Sequence, residues 1–389
     1  MKKYPLSQSQ QGIFIECMNN PELTRYNLSF AVDLPGCVDL NRLQEAVGRV
    51  IAGHSVLHTR FVIDEEGCPW QVEDLSMEIP VDRRKMTDDE AADYIRQGFV
   101  RPFKLVGNQP LCRFEIIEAP TRSYLLYDFH HTIADGLTVF ALFPCEDLVA
   151  VYEGEPMKPE RKTLYAYAEE EQKLMGTAAF EEARQYYLKK FEGVEFTPLS
   201  RNTAASGRSL VVHEALPSAD VNAWCAAHEV KPNILMQAAF SLLIARLSRR
   251  WQVAYTSVRH GREDKELSHS YGMFVRTVPV LANVDSEKSV ADFIRETELE
   301  WKSTHRMAQY SFASFCGSLH LQPTVCFSFQ GPRLNPLLQL AGADGRVTQL
   351  SRTYTDIDLT CLVYTCADAY DIRLEASDAL YTAPYLRRF

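Results

Sequence analysis

The sequence predicts a mixed α/β (α+β) protein built from two subdomains, and three observations carry that prediction. The chain has 389 residues, more than the roughly 250–300 at which a single hydrophobic core stops growing. Strand-like runs and helical periodicities alternate through both halves. With 46% apolar and 24% charged residues the composition is that of a globular protein and excludes a disordered one.

Taken in order, Leu40, Leu43, Val47, Val50 and Ile51 fall on one helical face behind Asp39, a good N-cap, so the spacing predicts a helix over 40–52. Leu57–Ile63 and Leu111–Ile117 read as strands, the second leading into a hairpin partner at 122–130. Apolar spacing turns helical from Leu137 to Tyr152. A second, charge-rich helix is predicted between about Tyr165 and Phe191. Between them, Glu153–Thr163 carries two prolines and six charges and reads as a loop. A boundary beyond that loop divides the chain into subdomains 1–175 and 176–389. The segment Ser200–Ser209 is polar and reads as a surface loop.

In the second half, Asn233–Arg249 is apolar nearly all round and reads as a buried helix, followed by a strand at 252–258. Further strands are predicted at 274–281, 324–330, 357–364 and 370–376, with a helix from Val290 to about Thr304 capped by Ser289.

Bulk properties exclude several function classes. A net charge of −10 disfavours non-specific attraction to phosphate backbones or anionic lipid, so nucleic acid and membrane are not expected partners. The ten cysteines form no CxxC pair and lie mostly in apolar stretches, which reads as buried thiols in a reducing cytoplasm. Met1–Pro5 is not followed by an apolar run of the kind that exports a chain.

The densest chemistry is His130-His131-Thr132-Ile133-Ala134-Asp135-Gly136, between the apolar run Tyr124–Phe129 and the helical pattern from Leu137. Neighbouring strand residues point to opposite faces, so His130 and His131 do not converge on one metal ion. Nor is there an HExxH or His-x-His spacing. No GxSxG elbow supplies a nucleophile, so covalent hydrolysis is disfavoured. What remains is that one imidazole acts as a base between two bound substrates, or that neither is catalytic. Gly136 is expected to supply a turn, and Asp135 to hold an arginine and brace the loop.

HHxxxDG at a strand-to-helix junction resembles the signature of the nonribosomal peptide synthetase condensation domain, within the chloramphenicol-acetyltransferase-like acyltransferases. Other segments match that family in order. Tyr4–Gly12 resembles its opening motif, Gly53–Phe61 its RHExLRTxF, and Asn233–Glu263 its buried helix, strand and Gly-Arg turn. Tyr271–Val280 is similar to GxFVNTxPxR, Val325–Gln330 to the strand motif that follows, and Asp356–Thr360 to the last strand entry.

The resemblance implies two chloramphenicol-acetyltransferase-like subdomains in a V-shaped pseudo-dimer, with His131 in a tunnel between them. It implies amide formation between a donor thioester and an acceptor amine, each on the phosphopantetheine arm of a carrier domain, beside an adenylation domain. No metal or soluble cofactor is expected. His131 would be the active-site imidazole, and Asp135 would pair with Arg262, stitching the subdomains together.

Two departures stand out, His58 where the family has arginine and Arg276 where it has asparagine. The first bears on a structural ion pair and the second on a tunnel wall. With no GGxS carrier motif and no nucleotide-binding loop, the chain resembles a domain excised from a larger synthetase or a short stand-alone member. Rival readings are an epimerisation domain, which shares HHxxxDG and is echoed by Arg259–Glu263; a coenzyme A acyltransferase, whose DFGWG element is missing; and a non-catalytic carrier-binding domain, in which a degraded motif is expected.

Overall fold

The computed structural model describes residues 2–199, 207–285, 287–310, 312–319, 323–331, 337–350, 354–355 and 358–389. Its first half holds β1 (Lys3–Pro5), β2 (Asn27–Leu34), β3 (Thr59–Ile63), β4 (Pro69–Glu73), β5 (Val81–Lys85), β6 (Cys112–Glu118) and β7 (Ser123–His130). The second holds β8 (Gly207–Pro217), β9 (Gln252–Arg259), β10 (Arg276–Asn283), β11 (Val325–Gln330), β12 (Leu337–Leu340), β13 (Ala343–Gln349), β14 (Tyr354–Thr355), β15 (Leu359–Thr365) and β16 (Ala369–Ser377). Helices interleave with them, and the class is mixed α/β. Most of the predicted loop Ser200–Ser209 and the start of the Asp356–Thr360 motif lie outside the described residues.

The chain forms two compact units. The first comprises residues 1–173 together with Gly261–Phe274 and the hairpin β12–β13. Its six-stranded sheet has the order β12-β13-β2-β7-β6-β5, and a small sheet has the order β1-β4-β3. Val347 of β13 sits opposite Val32 of β2, so the late hairpin extends an early sheet. The linear division at 175/176 carried neither of these two returns.

β7 is central in that sheet and buried from Leu125 to His130. Covering on both faces is why Leu-Leu-Tyr-Asp-Phe reads as a continuous apolar run rather than an alternation. Phe30, Phe114, Tyr127, Phe129 and Phe143 are fully buried, and ring centroids of Tyr127 and Phe143 lie 4.9 Å apart in an edge contact. The Tyr127 hydroxyl donates to the Val139 carbonyl at 2.9 Å, fixing the following helix on the sheet.

That helix departs from the predicted α-helix. Residues Thr138–Asp147 are π-helical and run into an α-turn over Leu148–Glu153. Pro144 lies inside and cannot donate, and the Leu148 N–H reaches back five residues to Phe143. The charge-rich helix predicted over 165–191 is two, Leu164–Leu174 and Ala178–Lys190. Thr177 caps the second by accepting the Phe180 N–H, and Gly176 precedes it.

The second unit is built on a seven-stranded sheet of order β10-β9-β11-β15-β16-β8-β14. Against it packs the helix Pro232–Ser248, with Ile234, Met236, Ala238, Phe240, Ile244 and Ala245 buried. Leu242 of that helix is 39% exposed, so the helix is not buried all round as predicted. Ser289 caps the helix Val290–Arg306 by accepting the Asp292 N–H. Of the ten cysteines, Cys17, Cys112, Cys225 and Cys361 are buried whereas Cys37 and Cys68 are exposed, which corrects the uniform expectation of buried thiols. No described helix is long and apolar enough to cross a membrane.

Gly261–Phe274 returns upon itself. Gly261 has φ +64°, and a Cβ built there would stand 1.7 Å from the Phe274 carbonyl oxygen. The clash is with backbone, which has little room to give. Gly261→Ala is therefore expected to cost about 2 kcal/mol or more, read as a lowered denaturation midpoint; an unchanged midpoint would contradict the closed loop.

Candidate active site

His130 ends β7 and His131 follows it, and their side chains meet different partners. His130 is 2% exposed, and its Nδ1 accepts the Thr132 N–H at 3.3 Å and lies 2.8 Å from the Thr132 hydroxyl. A backbone N–H only donates, so Nδ1 is the bare nitrogen and Nε2 carries the hydrogen toward Cys17 Sγ, 3.6 Å away. Burial drives the His130 pKa down to about 3 and that of the Cys17 thiol up to about 11, so both are neutral at pH 7. His130 is thus a fixed, uncharged wall.

His131 is half-buried. Its Nδ1 lies 2.9 Å from the Ala134 carbonyl, and its backbone N–H donates to the Tyr26 carbonyl at 2.8 Å. A carbonyl only accepts, so Nδ1–H is the donor and Nε2 is the basic nitrogen. The Thr132–Ala134 bend that holds this tautomer is itself tied by the Ile133 N–H to the His130 carbonyl at 3.0 Å.

Asp135 is wholly buried. One carboxylate oxygen accepts the Thr138 N–H at 3.1 Å, the Thr138 hydroxyl at 3.2 Å and Arg262 Nη2 at 2.8 Å, and the other accepts the Phe274 N–H at 3.3 Å. The Thr138 bond makes Asp135 the N-cap of the helix. Gly136 is its first helical residue and does not take positive φ, contrary to the expected glycine turn. The change of direction falls instead on His131–Ile133, and the carboxylate rather than glycine starts the helix.

Arg262 reaches Asp135 with side-chain exposures of 4% and 1%. Its Nη1 donates to the Leu267 and Ser270 carbonyls at 2.7 and 2.6 Å, and its guanidinium lies 4.4 Å over the Phe274 ring. The resemblance implied a pair that stitches two subdomains. Arg262 belongs to Gly261–Phe274, which is part of the first unit, so the pair is internal to that unit.

Further contacts hold the same loop. Lys162 meets Asp264 at 2.6 Å, the Tyr271 N–H donates to Glu160 at 3.1 Å, and the Tyr271 hydroxyl donates to Asp147 at 2.8 Å. His54, stacked 3.6 Å from Tyr271, lies 2.9 Å from the same Asp147 oxygen. None of Asp147, Glu160, Thr138 or Tyr271 was singled out from the sequence as bearing on the motif. Only Thr138, three residues after Asp135, carried a readable signal, an Asp-x-x-Thr start to a helix.

The two family departures have local explanations. His58 is buried with Nδ1 3.2 Å from the Met77 carbonyl and Nε2 3.3 Å from that of Ile51, so its ring lies between two backbone carbonyls rather than beside an acid. Arg276 donates to the Ala308 carbonyl at 2.9 Å, just past the helix Val290–Arg306, while Arg259 opposite it donates to Trp301 of that helix at 3.3 Å. The Arg276 guanidinium, just beyond the helix C-terminus, complements the negative end of its dipole. Among the described residues no group of three or more His, Cys, Asp or Glu side chains is arranged to hold a metal ion.

Behind the motif, Asp128 is buried two residues before His130. It accepts from Asn27 and Ser29 at 2.8 Å each and lies 3.7 Å from Arg113. Burial outweighs these partners and pushes its pKa up to about 6. A carboxyl whose folded pKa is raised holds its proton more tightly folded than unfolded, so its contribution is greatest in acid. The wild type's stability relative to Asp128→Asn should fall as pH rises from about 4 to about 6. Parallel pH profiles in denaturant titrations of the two chains would contradict this.

A family model described as the condensation domain matches residues 1–381. Bacitracin synthase 1 of Bacillus licheniformis is 23% identical over 99% of this chain, and surfactin synthase subunit 1 of Bacillus subtilis (strain 168) is 23% identical over 99%. The chain spans only 8% and 11% of the length of those two relatives. The first condensation domain of the CDA synthetase superposes with a TM-score of 0.84 at 17% identity, covering 100% of this chain and 93% of that one. The starter condensation domain of rhizomide synthetase RzmA gives 0.80 at 17%, covering 100% and 93%.

Proposed function

The chain belongs to the condensation domain family, acyltransferases that form amide bonds, and on that premise we propose that His131 is the base at which its amide bond is made. The observation that carries the reading is the bond from His131 Nδ1 to the Ala134 carbonyl, which makes Nε2 the proton acceptor at the end of a rigid central strand.

In the proposed step an acceptor amine attacks the carbonyl carbon of a donor thioester. The C–N bond forms, Nε2 of His131 takes the proton that the amine must lose, and the C–S bond breaks as the tetrahedral intermediate collapses. The same proton passes to the departing thiolate, so no net proton, electron or nucleophile is required from the protein. His130, held neutral, places no second charge beside the imidazolium that forms transiently at His131. Asp135 and Arg262 support the turn and do not exchange protons with substrate.

Carrier domains are the proposed partners. The relatives matched are multidomain synthases many times longer than this chain, and a thioester donor and amine acceptor both require presentation. We further infer that carriers deliver both substrates on phosphopantetheine arms, with an adenylation domain loading the acceptor. A metal or soluble cofactor has no step in this scheme.

His131→Ala should reduce amide product about 100-fold or more in an assay with an acylated donor carrier and a panel of aminoacyl acceptor carriers, with thermal melting unchanged. Turnover equal to the wild type would sink the assignment.

A further inference from the structure

Antiparallel register brings one more side chain to His131. Asn27, the first residue of β2, lies opposite His130 at the end of β7, so one step beyond the ladder Tyr26 lies opposite His131. The His131 N–H donating to the Tyr26 carbonyl at 2.8 Å continues the ladder to that position. Residues directly opposite on antiparallel strands share a face, and their side chains touch. The Tyr26 ring stands edge-on to the His131 ring, with centroids 6.5 Å apart and planes at 74°, and 6.4 Å from the His130 ring.

The Tyr26 ring is held in its turn from outside the strand. Its hydroxyl donates to Glu16 at 2.5 Å, on the helix Gln8–Asn19. Arg25 pairs with the same Glu16, donates to the Tyr26 hydroxyl at 3.3 Å and lies 5.2 Å over the Tyr26 ring. Tyrosine, carboxylate and guanidinium thus close a ring of contacts whose rigid face is the phenol ring against His131. The Ala134 bond holds one edge of the His131 ring and fixes its tautomer, and the Tyr26 ring packs edge-on against the imidazole so held.

We propose that Tyr26 is a positioning residue for His131, and that Glu16, braced by Arg25, sets where the Tyr26 ring stands. The proposal rests on the reading of His131 as the base. It places the control of imidazole orientation outside HHxxxDG, in the turn before β2 and the helix that precedes it. A displacement of about 1 Å at a reacting group can cost about 100-fold, so releasing the tether while keeping the ring should cost less than that.

The test uses the full chain. Tyr26→Phe keeps the ring and removes the tether, Glu16→Ala removes its acceptor, and Glu16→Gln keeps an acceptor oxygen without the charge. In the amide-forming assay, Tyr26→Phe and Glu16→Ala should each lower kcat about tenfold with KM for either carrier nearly unchanged. The double variant should be no worse than either single one, and Glu16→Gln should recover most of the loss seen in Glu16→Ala. In ring-labelled histidine NMR, the resonance missing from the His131→Ala spectrum should shift or broaden in Tyr26→Phe. An unmoved resonance, or losses that multiply in the double variant, would overturn the proposal. Full turnover by His131→Ala would overturn the catalytic reading instead, while the resonance still reports on the Tyr26 contact.

Discussion

A carboxylate removed entirely from water is tolerated only when its lone pairs are matched, and Asp135 is matched by donors from three places in the chain. Thr138 comes from its own helix, Arg262 from a loop more than a hundred residues later, and the Phe274 N–H from the end of that loop. The bonds together start the helix Gly136 onward and close Gly261–Phe274 against the turn that follows β7. Removing either charge would leave the other buried without its partner, a loss of about 3–5 kcal/mol in comparable pairs. The turn that presents His131 is therefore built on a buried charge pair.

The two histidines gain opposite characters from one residue of separation. His130 faces the interior, where desolvation strips its proton and Thr132 fixes its tautomer. His131 faces outward, where a single carbonyl decides which nitrogen is basic. The contrast falls where the strand gives way to the turn, since His130 is the last residue of β7 and His131 the first beyond it. The condensation domains whose fold this chain shares at 17% identity differ from it at most positions, so the architecture tolerates wide change in sequence.

What could be read from the sequence was whatever local period or run announces. The central strand Ser123–His130, the helix Leu40–Gly53 with its Asp39 cap and the helix Pro232–Ser248 were each legible for that reason. A capping box at Ser7 and Gln10 also stood in the sequence, but the buried face of the helix it starts includes Gln8 and Gln10, which hides its apolar stripe. β5, Val-Asp-Arg-Arg-Lys, is an edge strand whose charges suit an exposed edge and conceal a strand. The π-register of Thr138–Asp147 has no distinct sequence period over ten residues. Return of Gly261–Phe274 and β12–β13 to the first unit depends on contacts far apart in sequence, as between Arg262 and Asp135 or Val347 and Val32, which no window along the chain contains. The site was legible as a motif, with Arg262 implied as the partner of Asp135 by the resemblance, whereas Asp147, Glu160 and Tyr271 came only from packing.

The most direct measurement of the central claim is hydrogen exchange at the backbone amides of Gly261–Phe274 and of His131–Thr138 in the wild type and in Asp135→Asn. If the buried carboxylate organises both segments, the variant loses protection in the two together while β9 and β11 of the second unit keep theirs. Unchanged protection in Gly261–Phe274, or loss confined to the helix that Asp135 caps, would contradict it.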